Sequence, residues 1–341
     1  NAQIGGNLQS FTRDRVKFDS GVHYIGGLEE GQPLYKYFKY FNLLDTVKYY
    51  KLDMSAYDVI SFNGDSTLYP HAQGYENYIQ QLLRLFPEEE EGLRQYCQKI
   101  KEFCSHFKLY SLNDHNNSKQ EIELFEYSAK KVIESCTTNN KLQNVLAGAN
   151  LLYAGQGDKS PFFVHALITD SFISGAYKLA NSEDIAKQLR KDIKRFGGEV
   201  HIDSKVASIH NSRTNVNHVV LTSGEEVTAD YFISNIHPTM TFDMMDTSKM
   251  RKTYVNRISD LENTVSAFIL YIKFKPLIQH YCNHNRYHYF DDDVWSHVDY
   301  THGSRFSCMG IFSSPDHLNP DYAKSMSVIT YMKFEDVEEW K

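Results

Sequence analysis

The sequence predicts a mixed α/β chain of two domains, each discontinuous in sequence, with a helical insertion in one of them. Three observations lead there. The 341 residues exceed what a single hydrophobic core usually organises. Runs of β-branched and aromatic residues, bounded by glycine and asparagine turns, occur in both halves of the chain, whereas residues 74–155 repeat apolar side chains at three and four. Two turn-rich stretches far apart in sequence, 4–27 and 181–238, have glycine pairs at the positions where a chain must bend or lie close to another surface.

In the first of these, Gly5-Gly6 and Gly26-Gly27 bracket a short strand pattern with Gly21 at its end. Two turns flanking a hairpin satisfy this spacing, and so does a cradle for a flat ligand. Pro33 to Leu44 then sets Leu34, Tyr37, Phe38, Phe41 and Leu44 at helical spacing behind a proline, so a helix is expected. Val47 to Leu52 and Tyr57 to Phe62 read as strands, and Asn63-Gly64-Asp65 turns into a third at Thr67 to Tyr69. This meander is expected to pair with later strands at Val265 to Phe274 and Met326 to Tyr331. Aromatic density in both groups, in a chain of 24 Tyr and 21 Phe, leads us to expect an apolar cavity between them.

Within 74–155, Pro87 and the run Glu88 to Glu91 start a helix, its carboxylates set against the positive end of the dipole. The run therefore reads as a solvated first turn and not as a metal or catalytic site. Leu93, Tyr96, Cys97, Ile100, Cys104 and Phe107 form the buried stripe. Asn113 to Ser118 reads as a polar loop, and Ile122, Phe125, Ala129, Val132 and Ile133 as a second amphipathic helix. Gly155 to Ser160 lacks the glycine spacing of a phosphate-binding loop and reads as a linker. Ser160-Pro161 opens a helix through Phe163, Leu167 and Phe172. Asn181-Ser182 leads into another through Ile185, Leu189 and Ile193, closed by Gly197-Gly198. Strands are expected at Glu199 to Asp203, Val206 to His210, Val216 to Leu221 and Tyr231 to Ser234, with a hairpin at Ser223-Gly224, and Val337 to Trp340 begins a last helix.

Composition excludes several classes of function. A net charge of −7 and the lack of any Lys/Arg stripe exclude nucleic acid as a partner. Cys97, Cys104, Cys136, Cys282 and Cys308 are odd in number and form no CxxC pair, which fits a reducing, cytoplasmic compartment. No apolar run approaches the roughly 20 residues that span a bilayer, so the chain is expected to be soluble, with peripheral membrane contact for access to substrate. His280, His284 and His288 would share a metal-binding face on a helix. Tyr281, Tyr287, Tyr289 and Phe290 favour a strand instead, which spreads the histidines over about 13 Å, and no metal site is expected.

Gly5-Gly6 with Ser10-Phe11, then Phe18-Asp19, Gly21, His23-Tyr24 and Gly26, resembles a segment of flavin-dependent oxidoreductases of the phytoene desaturase and retinol saturase type. The later order of helix, Gly197-Gly198, strand, Lys205-Val206, strand, turn, strand and Ser234-Asn235 is similar to a second segment of the same family. The resemblance extends weakly over the whole chain. It implies a FAD/NAD(P)-binding Rossmann-like domain from residues 1–29 and 156–240, incomplete here. A mixed-sheet substrate domain from 30–155 and 241–341 would carry the helical insertion at about 74–155.

In that family the glycine pair passes the ribose and pyrophosphate of FAD, and the glycine after the Asp lies near the isoalloxazine ring. The valine holds the adenine through its backbone, and Ser-Asn ends the strand beneath the cofactor. The implied cofactor contacts are thus Gly5, Gly6, Asn7, Gly21, Val206, Ser234 and Asn235. Asn7 stands where many relatives carry Arg, and Lys178-Leu179-Ala180-Asn181 where the family often has Pro-x-Gly-Gly. His23 is the candidate catalytic group, a polar side chain near the reacting face of the flavin, with a structural histidine as the alternative. The implied activity is desaturation or saturation of carbon-carbon bonds in a long apolar substrate of isoprenoid, carotenoid or retinoid type. An amine-oxidase-like flavoenzyme and a flavin-free binding module are the alternatives. Because the sequence opens in mid-motif, the pyrophosphate anchor is expected upstream of Asn1 and a closing flavin segment beyond Lys341. The chain by itself is then expected to bind FAD poorly and to be inactive.

Overall fold

The computed structural model describes residues 3–112, 126–299, 306–338 and 340. The strands in chain order are β1 Ser10–Arg13, β2 Val16–Asp19, β3 Tyr49–Lys51, β4 Asp58–Phe62, β5 Tyr69–His71, β6 Tyr177–Leu179, β7 Val206–Asn211, β8 Val216–Leu221, β9 Glu226–Val227, β10 Ser266–Lys273, β11 Asn285–Tyr289, β12 Cys308–Pro315 and β13 Ala323–Met332. The chain divides into two compact units, Asn1–Gly6 with Arg190–Thr264, and Asn7–Leu189 with Val265–Lys341.

The larger unit is built on a six-stranded sheet of order β10-β13-β12-β11-β4-β5. Only β4 and β11 pair in parallel, with Asp58 opposite Asn285 and Ile60 opposite Tyr287. Such a pair needs a long connection, which the helical stretch and all that follows it provide. Helices Tyr75–Leu83, Glu90–Ser105, Ala129–Glu134, Asn140–Leu146 and Phe162–Ser174 contribute to the same hydrophobic core. On Glu90–Ser105, Leu93, Tyr96, Cys97, Ile100 and Cys104 are buried, as the spacing requires. All five cysteines are free, and four are buried. The polar loop expected at Asn113 to Ser118, and Ile122 and Phe125 of the second helix, lie outside the described residues.

Two expectations need correction here. β3 does not join a meander; it leaves the main sheet and pairs antiparallel with β6, Tyr50 opposite Lys178. Among the described residues the strands expected to flank an apolar cavity lie side by side instead, since β4 and β11 are neighbours in one sheet and Ile60, Tyr287 and Tyr289 are fully buried. The aromatic side chains there pack on one another, with Phe62 and Tyr289 stacked at 5.9 Å and Tyr24 and Phe172 at 4.2 Å.

The smaller unit contains the antiparallel sheet β7-β8-β9 and helices Pro238–Asp243 and Lys252–Ser259. Glu199 to Asp203 and Tyr231 to Ser234 are not strands. Neither run is paired in a sheet ladder among the described residues, and strand propensity without a ladder does not make a strand. Tyr231 and Ile233 are 89% and 96% exposed. Residues 7–29 and 156–189, which motif order groups with 190–240, fall in the larger unit. Strand pairing and ring contacts place them there: β6 pairs with β3, Ile25 bridges Tyr177, and Phe11 and Phe18 of the β1-β2 hairpin pack on Tyr271 of β10. The 4–27 and 181–238 segments therefore do not share a sheet.

At the centre of the larger unit Asp58 is fully buried. Its carboxyl accepts from Asn285 Nδ2 at 2.9 Å and from the Tyr24 hydroxyl at 2.9 Å, and Tyr24 lies 2.6 Å from the Tyr287 hydroxyl. Burial pushes the carboxyl up to about 7, against the pull of those two donors. A folded pKa above the unfolded value near 3.8 means that the native state holds the extra proton, so stability falls as pH rises from about 4 to about 7. The slope from this one group is at most about 1.4 kcal/mol per pH unit. Denaturant unfolding across pH 4 to 8 should show this decline in the wild type, and Asp58→Asn should flatten it. An equally steep decline in the variant would assign the effect to other groups.

Candidate functional site

The β1-β2 hairpin turns through Asp14 and Arg15, both with positive φ, the geometry of a tight two-residue hairpin. It delivers Lys17 and Asp19 to the wall of a cavity of about 110 Å³ in the larger unit. The lining comes from Lys17 and Asp19 of β2, His23, Lys178 to Asn181, Phe312 and Ser314 of β12, and Lys324, Ser325 and Ser327 of β13, with His317 at the connecting loop.

His23 stacks on Phe312, ring centroids 4.9 Å apart and 15° from parallel. Its Nε2 is buried and has no hydrogen-bond partner among the described residues. Burial, and then the Lys178 charge, lower its pKa to about 4, so the ring is neutral at physiological pH. Lys178, on β6 between buried Tyr177 and Leu179, is itself 8% exposed. Its ammonium donates to the Ser313 carbonyl. Burial lowers its pKa to about 8, against the opposing charge of Asp19. Asp19 Oδ1 accepts the Ser182 hydroxyl at 2.6 Å and the Ser182 amide at 3.2 Å, and burial raises its pKa despite those bonds. Lys17 pairs with Glu183.

The predicted site residues separate between the units. Asn7, Gly21 and His23 lie in the larger one, with Gly5, Gly6, Val206, Ser234 and Asn235 in the smaller. Gly21 is glycine for a reason internal to the protein, since a Cβ there would sit 2.9 Å from the Asn7 carbonyl oxygen and 3.1 Å from its Cβ. Gly5 and Gly6 have φ of 108° and 53°, and nothing lies within 4 Å of where a Gly6 Cβ would be, so a ligand can approach that backbone directly. Val206 pairs with Leu221 at the start of β7, and Ser234 Oγ lies 2.8 Å from Thr241 Oγ1. The histidines at 280, 284 and 288 form no metal cluster, and none with three ligating groups occurs among the described residues; His288 lies on strand β11.

Sequence reasoning missed Lys178, Asp19 and Lys324 as a set. The one local signal was a lysine inside the apolar run Ala176-Tyr177-Lys178-Leu179-Ala180, where strand alternation would have it exposed. Gly21→Ala should lower stability by about 1–3 kcal/mol, since the methyl must displace the Asn7 backbone, as read by thermal or denaturant unfolding. Unchanged stability would mean that the Asn7 turn yields freely.

Residues 1–276 match the family of flavin containing amine oxidoreductases. The human all-trans-retinol 13,14-reductase is 27% identical over 229 residues, which are 61% of this chain and 37% of that protein. The rat protein of the same name is 28% identical over the same length. The chain thus spans well under half the length of these curated relatives. Among solved structures, a Pyrococcus furiosus protein aligns with a TM-score of 0.64 at 14% identity, covering 99% of this chain and 74% of that one. An oxidoreductase from Methanosarcina mazei aligns at 0.63 and 14%, covering 99% and 73%. At such identity the likeness is one of fold, mixed α/β in each case.

Proposed function

Because this chain belongs to the flavin containing amine oxidoreductase family, with FAD as its cofactor, we propose that it is part of an FAD-dependent oxidoreductase that adds or removes hydrogen across a carbon-carbon double bond of a long apolar, retinoid-like substrate. The relatives named all-trans-retinol 13,14-reductase support that substrate class. The observation that carries the choice within the family is the charge of the cavity. Its lining sets the ammonium groups of Lys17, Lys178 and Lys324 against the single carboxylate of Asp19. With Lys17 paired to Glu183, a protonated amine entering there would still meet the like charges of Lys178 and Lys324, which disfavours an amine-oxidase reading.

The open backbone at Gly5 and Gly6 fits close approach of a cofactor, and Asn7, Gly21, Val206, Ser234 and Asn235 remain proposed contacts by resemblance. Bound FAD supplies hydride transfer. The chain's own part is to position substrate and to manage the accompanying proton. His23, neutral and locked against Phe312, presents a buried Nε2 that can accept or donate one hydrogen bond. Lys178, with its lowered pKa, can hold a proton or release it near neutral pH.

No helix among the described residues is long and apolar enough to cross a membrane. Peripheral contact with a membrane, from which a water-insoluble substrate would be drawn, belongs to this proposal, as does a reducing compartment for the five free cysteines. The test uses the full-length, FAD-loaded protein under anaerobic conditions with a chemical reductant. All-trans-retinol should be consumed with loss of polyene absorbance, and His23→Leu should lower the rate at least ten-fold. Turnover of putrescine with hydrogen peroxide release, and none of retinol, would replace this reading with amine oxidation.

A further inference from the structure

The cavity beside His23 does not match a purely apolar ligand. Its lining includes three lysines, two histidines and the hydroxyls of Ser314, Ser325 and Ser327. Lys17 pairs with Glu183, and the Asp19 carboxylate, hydrogen-bonded to the neutral Ser182, acts on Lys178 through its charge alone. That leaves Lys178, a buried cation whose nearest donated bond goes to a neutral carbonyl, together with Lys324 and the unpartnered His23 Nε2. A buried ammonium without a hydrogen-bonded counter-charge is costly, and both it and the imidazole are better satisfied by an anion between them. Size narrows the choice further. At about 110 Å³ the cavity is roughly a third of the ~300 Å³ at which pockets for whole drug-sized ligands begin, so it has room for a head group and not for a polyene.

We infer that this cavity seats the anionic head group, a carboxylate or phosphate ester, of a substrate whose apolar chain lies outside it, with Lys178 and Lys324 as the recognising cations. The inference rests on the long apolar substrate proposed above and adds the chemistry of its polar end. Lys178 is then a specificity-determining residue, distinct from a group that merely fills the core.

Calorimetric titration of the FAD-loaded, full-length protein with all-trans-retinoate and all-trans-retinol, which share one polyene and differ only at the head, tests this. Retinoate should bind at least ten-fold more tightly than retinol. At pH 8 it should bind with proton uptake, read from the dependence of the heat on buffer ionisation, as the anion draws Lys178 fully into its charged form. Lys178→Met, an apolar replacement of similar length, should bring the two ligands within about two-fold and abolish the uptake. Lys324→Gln should weaken retinoate several-fold and leave retinol unchanged, and serves if Lys178→Met does not fold. Equal affinity of the wild type for both ligands would overturn the inference and leave the retinoid reading standing. Inorganic phosphate binding to the FAD-loaded wild type and not to Lys178→Met, with neither polyene binding, would uphold the anion seat and sink the retinoid reading. Phosphate binding only to FAD-free protein would overturn the inference by assigning these lysines to the cofactor's own phosphates.

Discussion

The larger unit depends on one buried carboxyl. Asp58 sits at the parallel junction of β4 and β11, where strands more than two hundred residues apart in sequence meet, and a carboxyl at that depth needs donors on both oxygens. Asn285 supplies one from β11 and Tyr24 the other, with Tyr287 hydrogen-bonded behind Tyr24. The network thereby fixes the segment that follows the β1-β2 hairpin against the centre of the sheet. Tyr24 is further clamped on Phe172, and the neighbouring His23 on Phe312. The position of the candidate site is thus a consequence of satisfying Asp58.

Around that anchor the molecule separates two kinds of environment with unusual economy of sequence. Tyr24 faces the dry core, and His23, one residue earlier, faces a polar cavity. Lys178 and Leu179 of the short strand β6, which is held by β3 on one side and bridged to Ile25 through Tyr177, both line that cavity. Basic groups are gathered at the cavity although the chain as a whole carries a net charge of −7, so the local field opposes the global one.

Local patterns were legible where local physics decides structure. The buried stripe of helix Glu90–Ser105, the proline-led helix at Pro33–Tyr40, the strands at β4, β10 and β13 and the closing Gly197 all follow from periodicity and capping. The family segments around Gly5, Gly21 and Val206 were legible too, and family membership agrees with them. What failed was the choice of partner for particular segments. Tyr231 to Ser234 has strand-forming residues and no strand, and β3 has the pattern of a meander and pairs instead with β6.

The sequence by itself determined the mixed α/β class, the run of helices that follows Gly74 and the flavoprotein family. Only the tertiary structure decided that Gly21 is required by the Asn7 backbone, that the aromatic strands close on each other, and that the cavity beside His23 is ringed by Lys178, Lys324 and Asp19. The reason is the range of the interactions. Helix periodicity and glycine backbone freedom act over a few residues, whereas the charge of a cavity sums side chains from β2, β6, β12 and β13, which come together only when the sheet and its hairpin are packed.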